Sequence, residues 1–327
     1  MPLPIASAPP RSEAASKPLN DTARIDAIVS QWVAGLSDLA ISAGQSRASA
    51  DELQARIGDL FLENGYWRDL VCLSWDFRNL SGPVQIAKYL AEDNRLQSLE
   101  VVTVDKRQDR QARDAMVYPP SAAGGPIFGI QVLLELHLSA GRSGTGLLQL
   151  ARDGDGSWKA YVFTMALDEI KGHEPRINEK RPIHLDYGYE TGRKFFGATR
   201  RAELEMKEQE PAVVIIGAGH AGLMVAAHLT HMGVRALIVE QNSRVGDSWR
   251  QRYGNLVLHD PIIADRLPYM SYPETWPLFT PKEKFGDFLE SYAKLLDLNV
   301  WTDSTVDSAE FDETEKKWTE HYEPTTS

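Results

Sequence analysis

The chain has 327 residues, which is enough for about two domains that each bury a core. Its formal net charge of −11 argues against a nucleic acid or an anionic membrane surface as a partner. Its single cysteine, Cys72, excludes a disulfide within the chain and favours a reducing, cytoplasmic compartment. Cys72 lies in an apolar run and is predicted to be a core residue. We expect neither a membrane-spanning segment nor a secretory signal.

The first half of the chain predicts helices followed by strands. Residues 1–20 are rich in Pro, Ala and Ser, which indicates a disordered leader. Asp21 is the predicted N-cap of a first helix, Ser49 and Glu52 form a capping box for a second, and Ser-Gly-Pro at 81–83 opens a third. Helices before antiparallel strands favour an α+β fold with a curved sheet around helices. The strands are predicted over residues 99–104, 127–138, 146–151 and 158–167.

A polar, charged stretch over residues 171–206 is predicted to be a linker between two domains. The predicted organisation is therefore a leader over 1–20, an α+β domain over 21–170, this linker, and an α/β domain over 207–327.

The second domain begins with a dinucleotide-binding pattern. A short apolar strand ends in Gly217-x-Gly219-x-x-Gly222, and a helix-forming segment follows that Gly233 is suited to end. Gly217 allows a sharp turn, Gly219 lets a pyrophosphate approach the backbone, and Gly222 lets the helix pack closely on the sheet. A second apolar strand leads to Glu240, 23 positions after Gly217. About 20 positions separate such glycines from the carboxylate that binds ribose hydroxyls, so the pattern predicts a dinucleotide site.

Two other patterns suggest ligand sites but have simpler interpretations. Residues 141–146, Gly-Arg-Ser-Gly-Thr-Gly, lie between predicted strands and are interpreted as a hairpin loop. His228 and His231 are three apart on the helix after the glycines. The sequence offers no further ligand at suitable spacing, so we predict no metal site and assign both histidines a surface or packing role. Further on, Thr280 and Glu283 predict the N-cap and capping-box acid of another helix.

From about residue 212 to residue 318 the chain resembles the N-terminal half of flavin-containing monooxygenases, especially fungal and plant auxin-type members. The shared motifs follow one order: the glycine motif, Glu240-Gln241, Gly246-Asp-Ser-Trp249, Leu256-Val-Leu-His259-Asp260, residues 267–273 and residues 288–293. The chain departs from the family at Asp247, where the tryptophan motif has a second glycine.

In this family the first glycine motif holds FAD. The resemblance implies that Glu240 binds the adenosine ribose, that Gln241, Ser248 and Trp249 lie along the dinucleotide, and that His259 and Asp260 lie near the isoalloxazine. For Trp249, ordinary core filling stays open as an alternative. The resemblance places five residues of the glycine motif on the pyrophosphate: Gly217, Ala218, Gly219, Ala221 and Gly222.

Residues 53–168 resemble a nuclear-transport-factor-2-like (NTF2-like, also SnoaL-like) cone domain, on the order of their elements and on residues 67–77. The expected fold class is an α+β NTF2-like cone domain followed by an incomplete α/β Rossmann-type FAD-binding domain.

The resemblance implies an FAD-dependent, NAD(P)H-using monooxygenase that oxygenates a small organic substrate through a peroxyflavin, in a setting such as secondary metabolism. NADPH is expected for the family, but the family's second glycine motif is absent from this sequence. The chain also ends inside the family's small β excursion, so we expect a truncated protein with little NADPH turnover. No residue is predicted as a catalytic acid, base or nucleophile.

Two alternatives remain open. The protein could be a non-catalytic NTF2-like binding or dimerisation module with a vestigial flavin fold, which allows for a homodimer. The first domain could instead carry an isomerase- or cyclase-like activity on Gln131, Glu135 and His137, which share one strand face with Leu133. A solvated sheet face is the favoured interpretation of these polar residues.

Overall fold

The structure, a computed structural model, describes residues 8–10, 14–45, 50–107, 111–118, 127–182, 196–206 and 210–324. Its contacts divide the chain into two compact units, Met1–Gly172 and His173–Ser327. The cap predicted at Ser49 lies outside the described residues, as do parts of the predicted leader and linker. The division into leader, two domains and linker stays a prediction.

The described part of the first unit contains three α-helices and a seven-stranded sheet. The sheet order is β2-β1-β7-β6-β5-β3, and β4 also pairs with β5; β1 and β7 are parallel and the other neighbours antiparallel. The helices are α1 (Thr22–Gln45), α2 (Ala50–Leu60) and α3 (Gly82–Ala91). The strands are β1 (Phe61–Leu70), β2 (Phe77–Ser81), β3 (Leu99–Val104), β4 (Arg113–Tyr118), β5 (Ile127–Leu138), β6 (Arg142–Arg152) and β7 (Trp158–Ile170).

Helix α1 begins where the sequence predicted. The Asp21 Oδ1 accepts a hydrogen bond from the Arg24 amide at 3.1 Å, which is the expected N-cap contact. Its apolar side chains pack with α2, α3 and the sheet as one core, in which Ile25, Val29, Trp32 and Leu36 are buried. Within the described residues, no helix is both long and apolar enough to cross a membrane.

Aromatic side chains fill the space between the helices and the sheet. Trp32, Phe61, Trp67 and Phe163 are all buried, and their neighbouring ring centroids are 4.9 to 5.9 Å apart. These distances and largely edge-to-face angles are typical of favourable aromatic packing. The interior at this point is therefore a packed core.

Strand β5 separates the core from a polar sheet face. Its alternate residues, from Ile130 to Leu138, are buried, whereas Glu135 and His137 are exposed and Gln131 is half-buried. The Gln149 amide donates to Gln131 Oε1 at 3.0 Å on that outer face. This is the solvated sheet face that was the favoured interpretation, and Glu135 and His137 line an open pocket on it. The isomerase- or cyclase-like activity stays an untested alternative.

The predicted glycine-rich loop at 141–146 is a hairpin, as expected, but most of it belongs to strand β6. Leu138 pairs with Arg142, so only residues 139–141 turn, and Gly141 has a left-handed φ of 68°. The strand extends further than predicted because its pairing partners on β5 and β7 continue.

The buried carboxylate of Asp69 holds the turn that follows β1. It accepts hydrogen bonds from the amides of Cys72 (2.7 Å), Leu73 (3.0 Å) and Ser74 (3.2 Å), and from the Tyr89 hydroxyl at 2.6 Å. Cys72 is thereby buried, as predicted. Burial, with the nearby charge of Asp69 adding to it, raises the pKa of the Cys72 thiol to about 12.

The second unit has the βαβ connectivity that the glycine pattern predicted. A parallel sheet in the order β10-β9-β8 lies beside its helices, and β11 and β12 form an antiparallel hairpin. The described helices are α4 (Phe196–Leu204), α5 (His220–His231), α6 (Asp247–Arg250) and α7 (Lys282–Leu295). The strands are β8 (Val213–Ile216), β9 (Ala236–Val239), β10 (Val300–Trp301), β11 (Ser304–Asp312) and β12 (Lys317–Pro324).

Described parts of the predicted linker pack on this second unit. Arg200 in α4 donates to the Leu298 carbonyl at 2.7 Å, and the Trp301 indole donates to the Leu204 carbonyl at 2.7 Å. This packing was not evident from the polar composition of the segment, because its contacts are with residues about a hundred positions away.

Candidate functional site

The three glycines of the motif have three different geometries. Gly217 has a φ of 93°, which only glycine adopts readily, and it turns the chain out of β8 into α5. A Cβ atom at Gly219 would meet nothing within 4 Å. A Cβ atom at Gly222 would lie 2.1 Å from the Gly217 carbonyl oxygen. The turn at Gly217 and the close packing at Gly222 are as predicted, and Gly219 leaves the approach to the backbone open.

Helix α5 begins at His220, directly after Gly219. The first amides of an α-helix have no acceptor within the helix, and the positive end of the helix dipole lies there. The beginning of α5 therefore suits an anion, such as a pyrophosphate.

Glu240 lies at the glycine loop. Its side chain is buried (5% exposed), and Oε2 accepts a hydrogen bond from the Ala218 amide at 2.6 Å. Oε1 accepts hydrogen bonds from the backbone amide of Asn242 at 2.8 Å and from its side-chain amide at 2.6 Å. The carboxylate thus points toward the loop, which is where an acid that binds the ribose hydroxyls must lie. Sequence reasoning missed Asn242, although an asparagine just past a strand end often bonds locally.

The tryptophan motif forms a tight turn and the short helix α6. Gly246 has a φ of 90°, and its backbone lies against α7 so closely that a Cβ atom would be 2.3 Å from the Gly286 carbonyl oxygen. Trp249 is half-buried, with its ring 4.9 Å from the Phe285 ring and at 89° to it, whereas Ser248 is exposed. Trp249 is thus part of the core packing and still partly accessible to a ligand.

Arg250, at the end of α6, donates hydrogen bonds to four acceptor groups. It donates to the Val245 carbonyl at 2.9 Å, to Asp247 Oδ1 at 2.8 Å, to Asp287 Oδ1 at 2.8 Å and to Glu290 Oε2 at 3.0 Å. Burial disfavours its charge, but the hydrogen bonds to Asp247 and Asp287 outweigh that cost and raise the pKa of Arg250. The Asp247 carboxylate, where this chain departs from the family, is thereby paired.

Lys282, at the start of α7, points back to α6. Its ammonium donates to the carbonyl oxygens of Arg250 at 2.5 Å and Arg252 at 2.7 Å, and its side chain is only 7% exposed. Carbonyls at the end of a helix lack partners, and a cation is favourable there.

His259 and Asp260 lie on an exposed turn. The His259 side chain is 95% exposed, and its Nε2 is 3.5 Å from Asp260 Oδ2. Gln241 and Ala221 are also exposed, whereas Ala218 is buried. The proposed contacts of these residues with the cofactor stay predictions.

The capping box predicted at Thr280 is wrong. Helix α7 begins at Lys282 with Pro281 as its N-cap, and the buried Thr280 hydroxyl has no hydrogen-bond partner. The Thr280 carbonyl instead accepts a hydrogen bond from the Leu258 amide at 2.9 Å, so the segment before α7 pairs with the residues before His259. Strand-like pairing has overridden the local capping preference.

The two histidines of α5 pack on Tyr269. The His228 Nδ1 is 2.9 Å from the Tyr269 hydroxyl, and the His231 ring is 4.2 Å from the Tyr269 ring. Burial lowers the pKa of His231, and the neighbouring His228 adds to this effect. This is the packing role that the sequence indicated. Within the described residues, no group of three or more His, Cys, Asp or Glu is arranged to hold a metal ion.

Residues 215–267 match a family described as an NAD(P)-binding Rossmann-like domain. That range contains the glycine loop, Glu240 and α6. A probable indole-3-pyruvate monooxygenase of Arabidopsis thaliana, YUCCA9, is 41% identical over 106 residues, which are 32% of this chain and 25% of that protein. The indole-3-pyruvate monooxygenase YUCCA1 of Oryza sativa subsp. japonica is 36% identical over 109 residues, 33% of this chain and 27% of that protein. About a third of this chain is similar to monooxygenases.

These curated relatives confirm the resemblance expected from the motifs over that third of the chain. Among solved structures, an oxidized steroid monooxygenase bound to NADP is 28% identical with a TM-score of 0.31, and the match covers 34% of this chain and 22% of that chain. A flavin-containing monooxygenase from Stenotrophomonas maltophilia is 21% identical with a TM-score of 0.29, covering 32% and 34%. The chain spans about a quarter of the length of the curated relatives it matches.

Proposed function

We propose that the second unit binds FAD and that the protein is an FAD-dependent, NAD(P)H-using monooxygenase acting on a small organic substrate. The observation that carries the proposal is the position of the buried Glu240 carboxylate at the glycine loop, 2.6 Å from the Ala218 amide. An acid at that place binds ribose hydroxyls in dinucleotide folds. The similarity to monooxygenases over the same segment supports a flavin as the dinucleotide.

The residues present suit an adenine dinucleotide. The open space at Gly219 admits the pyrophosphate, the first amides of α5 bind it, and Glu240 accepts from the ribose hydroxyls. A carboxylate at that place repels a 2′-phosphate, which favours FAD over NADP at this loop. Ser248 and Trp249 then lie along the cofactor, with a hydroxyl to hydrogen-bond and a flat ring to pack.

FAD, when bound, would supply hydride acceptance from a nicotinamide and reaction with O2. The chain's own residues would bind and orient it, and Trp249, packed on Phe285, would exclude water on one side. His259 and Asp260 are proposed near the isoalloxazine, where their exposed side chains could hold a proton.

The first test is an absorption spectrum of the purified protein, before and after addition of FAD. We expect flavin absorbance that stays with the protein on gel filtration. Glu240→Ala should weaken FAD binding about tenfold or more, because a hydrogen bond to a charged group contributes about 1.5 to 3 kcal/mol. The matched control, Glu310→Ala on the exposed strand β11, should bind as the wild type does. A wild-type protein that takes up no FAD would overturn the proposal.

We also propose that the first unit is an NTF2-like module that pairs with a second copy. The order of its helices and strands supports this fold, and its interior is filled by aromatic side chains. The outer sheet face carries the half-buried pair Leu133 and Leu147. Sedimentation should give a dimer for the wild type and a monomer for Leu147→Lys. A monomeric wild type would contradict this proposal. A protein that dimerises but has no flavin absorbance would favour the alternative of a non-catalytic module.

A further inference from the structure

Helices α6 and α7 approach each other at two glycines. The backbone of Gly246 lies against that of Gly286, where a Cβ atom on Gly286 would be 2.9 Å from Arg250 Cγ and 3.0 Å from the Gly246 carbonyl oxygen. A glycine inside a helix is less favourable than alanine. Its presence at 286 is explained by this contact, which brings the four-residue α6 onto the surface of α7.

Two cations then join the helices in opposite directions. The Arg250 guanidinium extends from α6 to the acids Asp287 and Glu290 of α7. The Lys282 ammonium extends from α7 to the Arg250 and Arg252 carbonyls at the end of α6. A helix of four residues has almost no stability of its own, because helix nucleation is unfavourable. Its position therefore depends on tertiary contacts, which are these two side chains, the approach of Gly246 to Gly286 and the packing of Trp249 on Phe285.

Arg250 also compensates a charge. Asp247 begins α6 and lies one residue before Ser248, which is proposed to line the cofactor. An unpaired carboxylate near a pyrophosphate would repel it, since like charges a few ångströms apart are unfavourable in a partly buried site. The 2.8 Å hydrogen bond from Arg250 to Asp247 lowers that repulsion, although the same guanidinium also binds Asp287 and Glu290.

We propose that Arg250 and Lys282 are positioning residues for the cofactor: they form a clamp that holds Ser248 and Trp249 in place and neutralises Asp247. This inference rests on the proposed binding of FAD. Neither side chain is placed in contact with the cofactor; both act through α6.

The experiment compares Arg250→Met and Lys282→Met with two matched controls in the full chain. Arg244→Met removes another arginine that binds Glu290, and Lys294→Met removes a lysine of α7 that is 73% exposed and binds the same acid. Two quantities are measured: the Kd of FAD by absorbance titration, and hydrogen exchange of residues 246–252 without FAD. We expect the clamp variants to raise the Kd and the exchange rate about tenfold or more, and the controls to change each by less than about twofold.

A rescue separates positioning from general destabilisation. Asp247→Asn combined with Arg250→Met should recover part of the lost FAD affinity, because the carboxylate that Arg250 neutralised is gone. A merely structural role predicts that the second substitution adds to the loss. Arg250→Lys, which keeps a charge beside Asp247 but lacks the forked donors, should be intermediate and serves as the variant if Arg250→Met does not fold.

The outcomes distinguish this proposal from the proposed function. If the wild-type protein binds FAD and both clamp variants match it in Kd or in exchange, the clamp proposal is overturned and the proposed binding of FAD still stands. If the double variant binds more weakly than Arg250→Met, charge compensation is overturned. If the wild type binds no FAD, the proposed function fails and the positioning role fails with it.

Discussion

At Gly219 a Cβ atom would meet nothing within 4 Å, whereas at Gly222 it would lie 2.1 Å from a backbone oxygen that cannot move cheaply. We therefore expect Gly219→Ala to leave the free energy of unfolding unchanged but to weaken FAD binding about tenfold or more, because the methyl group enters the approach to the pyrophosphate. Gly222→Ala should lower the free energy of unfolding by about 1 to 3 kcal/mol. Urea denaturation and FAD titration measure both effects. Equal losses of stability in the two variants would contradict the different geometries.

The effect of the buried Thr280 hydroxyl on stability can also be tested by a single substitution. Its hydroxyl is buried, with 1% of the residue exposed, and has no hydrogen-bond partner. Replacing it by the methyl group of valine removes an unsatisfied polar group, so Thr280→Val should keep or raise the free energy of unfolding. A capping role predicts a loss of about 1 kcal/mol instead. Urea denaturation of the two proteins decides between these outcomes.

Helix α5 ends through a backbone motif centred on Gly233. Gly233 has a φ of 77°, its amide donates to the Thr230 carbonyl at 3.0 Å, and the Val234 amide donates to the Leu229 carbonyl at 2.8 Å. These two hydrogen bonds close the last turn of the helix that begins at the glycine loop.

Gly233→Ala should therefore destabilise the second unit by about 1 kcal/mol or more, since a left-handed conformation costs about 1 to 2 kcal/mol for a residue with a Cβ atom. Gly254→Ala is the matched control, because Gly254 has no left-handed φ and no neighbour within 4 Å of a Cβ position. Thermal unfolding followed by circular dichroism measures the difference. A Gly233→Ala variant as stable as the control would show that the cap is dispensable.

The reactivity of Cys72, the single cysteine in the sequence, can be used to follow folding of the first unit. Cys72 is buried, and burial raises the pKa of its thiol to about 12. A thiol reagent should therefore label native protein slowly at pH 8 and urea-unfolded protein rapidly, because the thiolate is the reactive form. Rapid labelling of the native protein at pH 8 would contradict this burial.

The same shift gives a pH dependence with a definite sign. Below pH 8.5, about the ordinary pKa of a cysteine, the folded and unfolded states both hold the proton. As pH rises toward 12 the unfolded state loses it first, so the stability contribution of the buried thiol is lost. Between pH 8 and 10 the wild type should lose about 2 kcal/mol more than Cys72→Ala in urea unfolding. Equal losses would show that Cys72 titrates normally.

Local signals predicted much of this fold. The bounds of β3 and β5 agree with the predicted strands, and Asp21 caps α1, because side-chain alternation and capping are properties of neighbouring residues. The glycine turn, and Glu240 beside it, followed from a spacing that a strand, a helix and a second strand require.

Other features depended on residues far apart in the chain. Strands β1, β2 and β4 were missed because polar residues interrupt their alternation and their pairing partners decide their conformation. The Thr280 cap was lost to pairing with Leu258, and Asp69 became a buried acceptor only where Tyr89 reaches it. Arg250 and Lys282 look like surface charges in the sequence, yet they join two helices about thirty residues apart.

The sequence by itself determined the dinucleotide-binding pattern, its acid and the similarity to monooxygenases, because each is encoded within a short stretch. Only the tertiary structure decided which polar groups are buried, which glycine packs and which stays open, and which charges hold the tryptophan motif. Burial and pairing are properties of two segments meeting in space, and either segment alone carries no signal of the other.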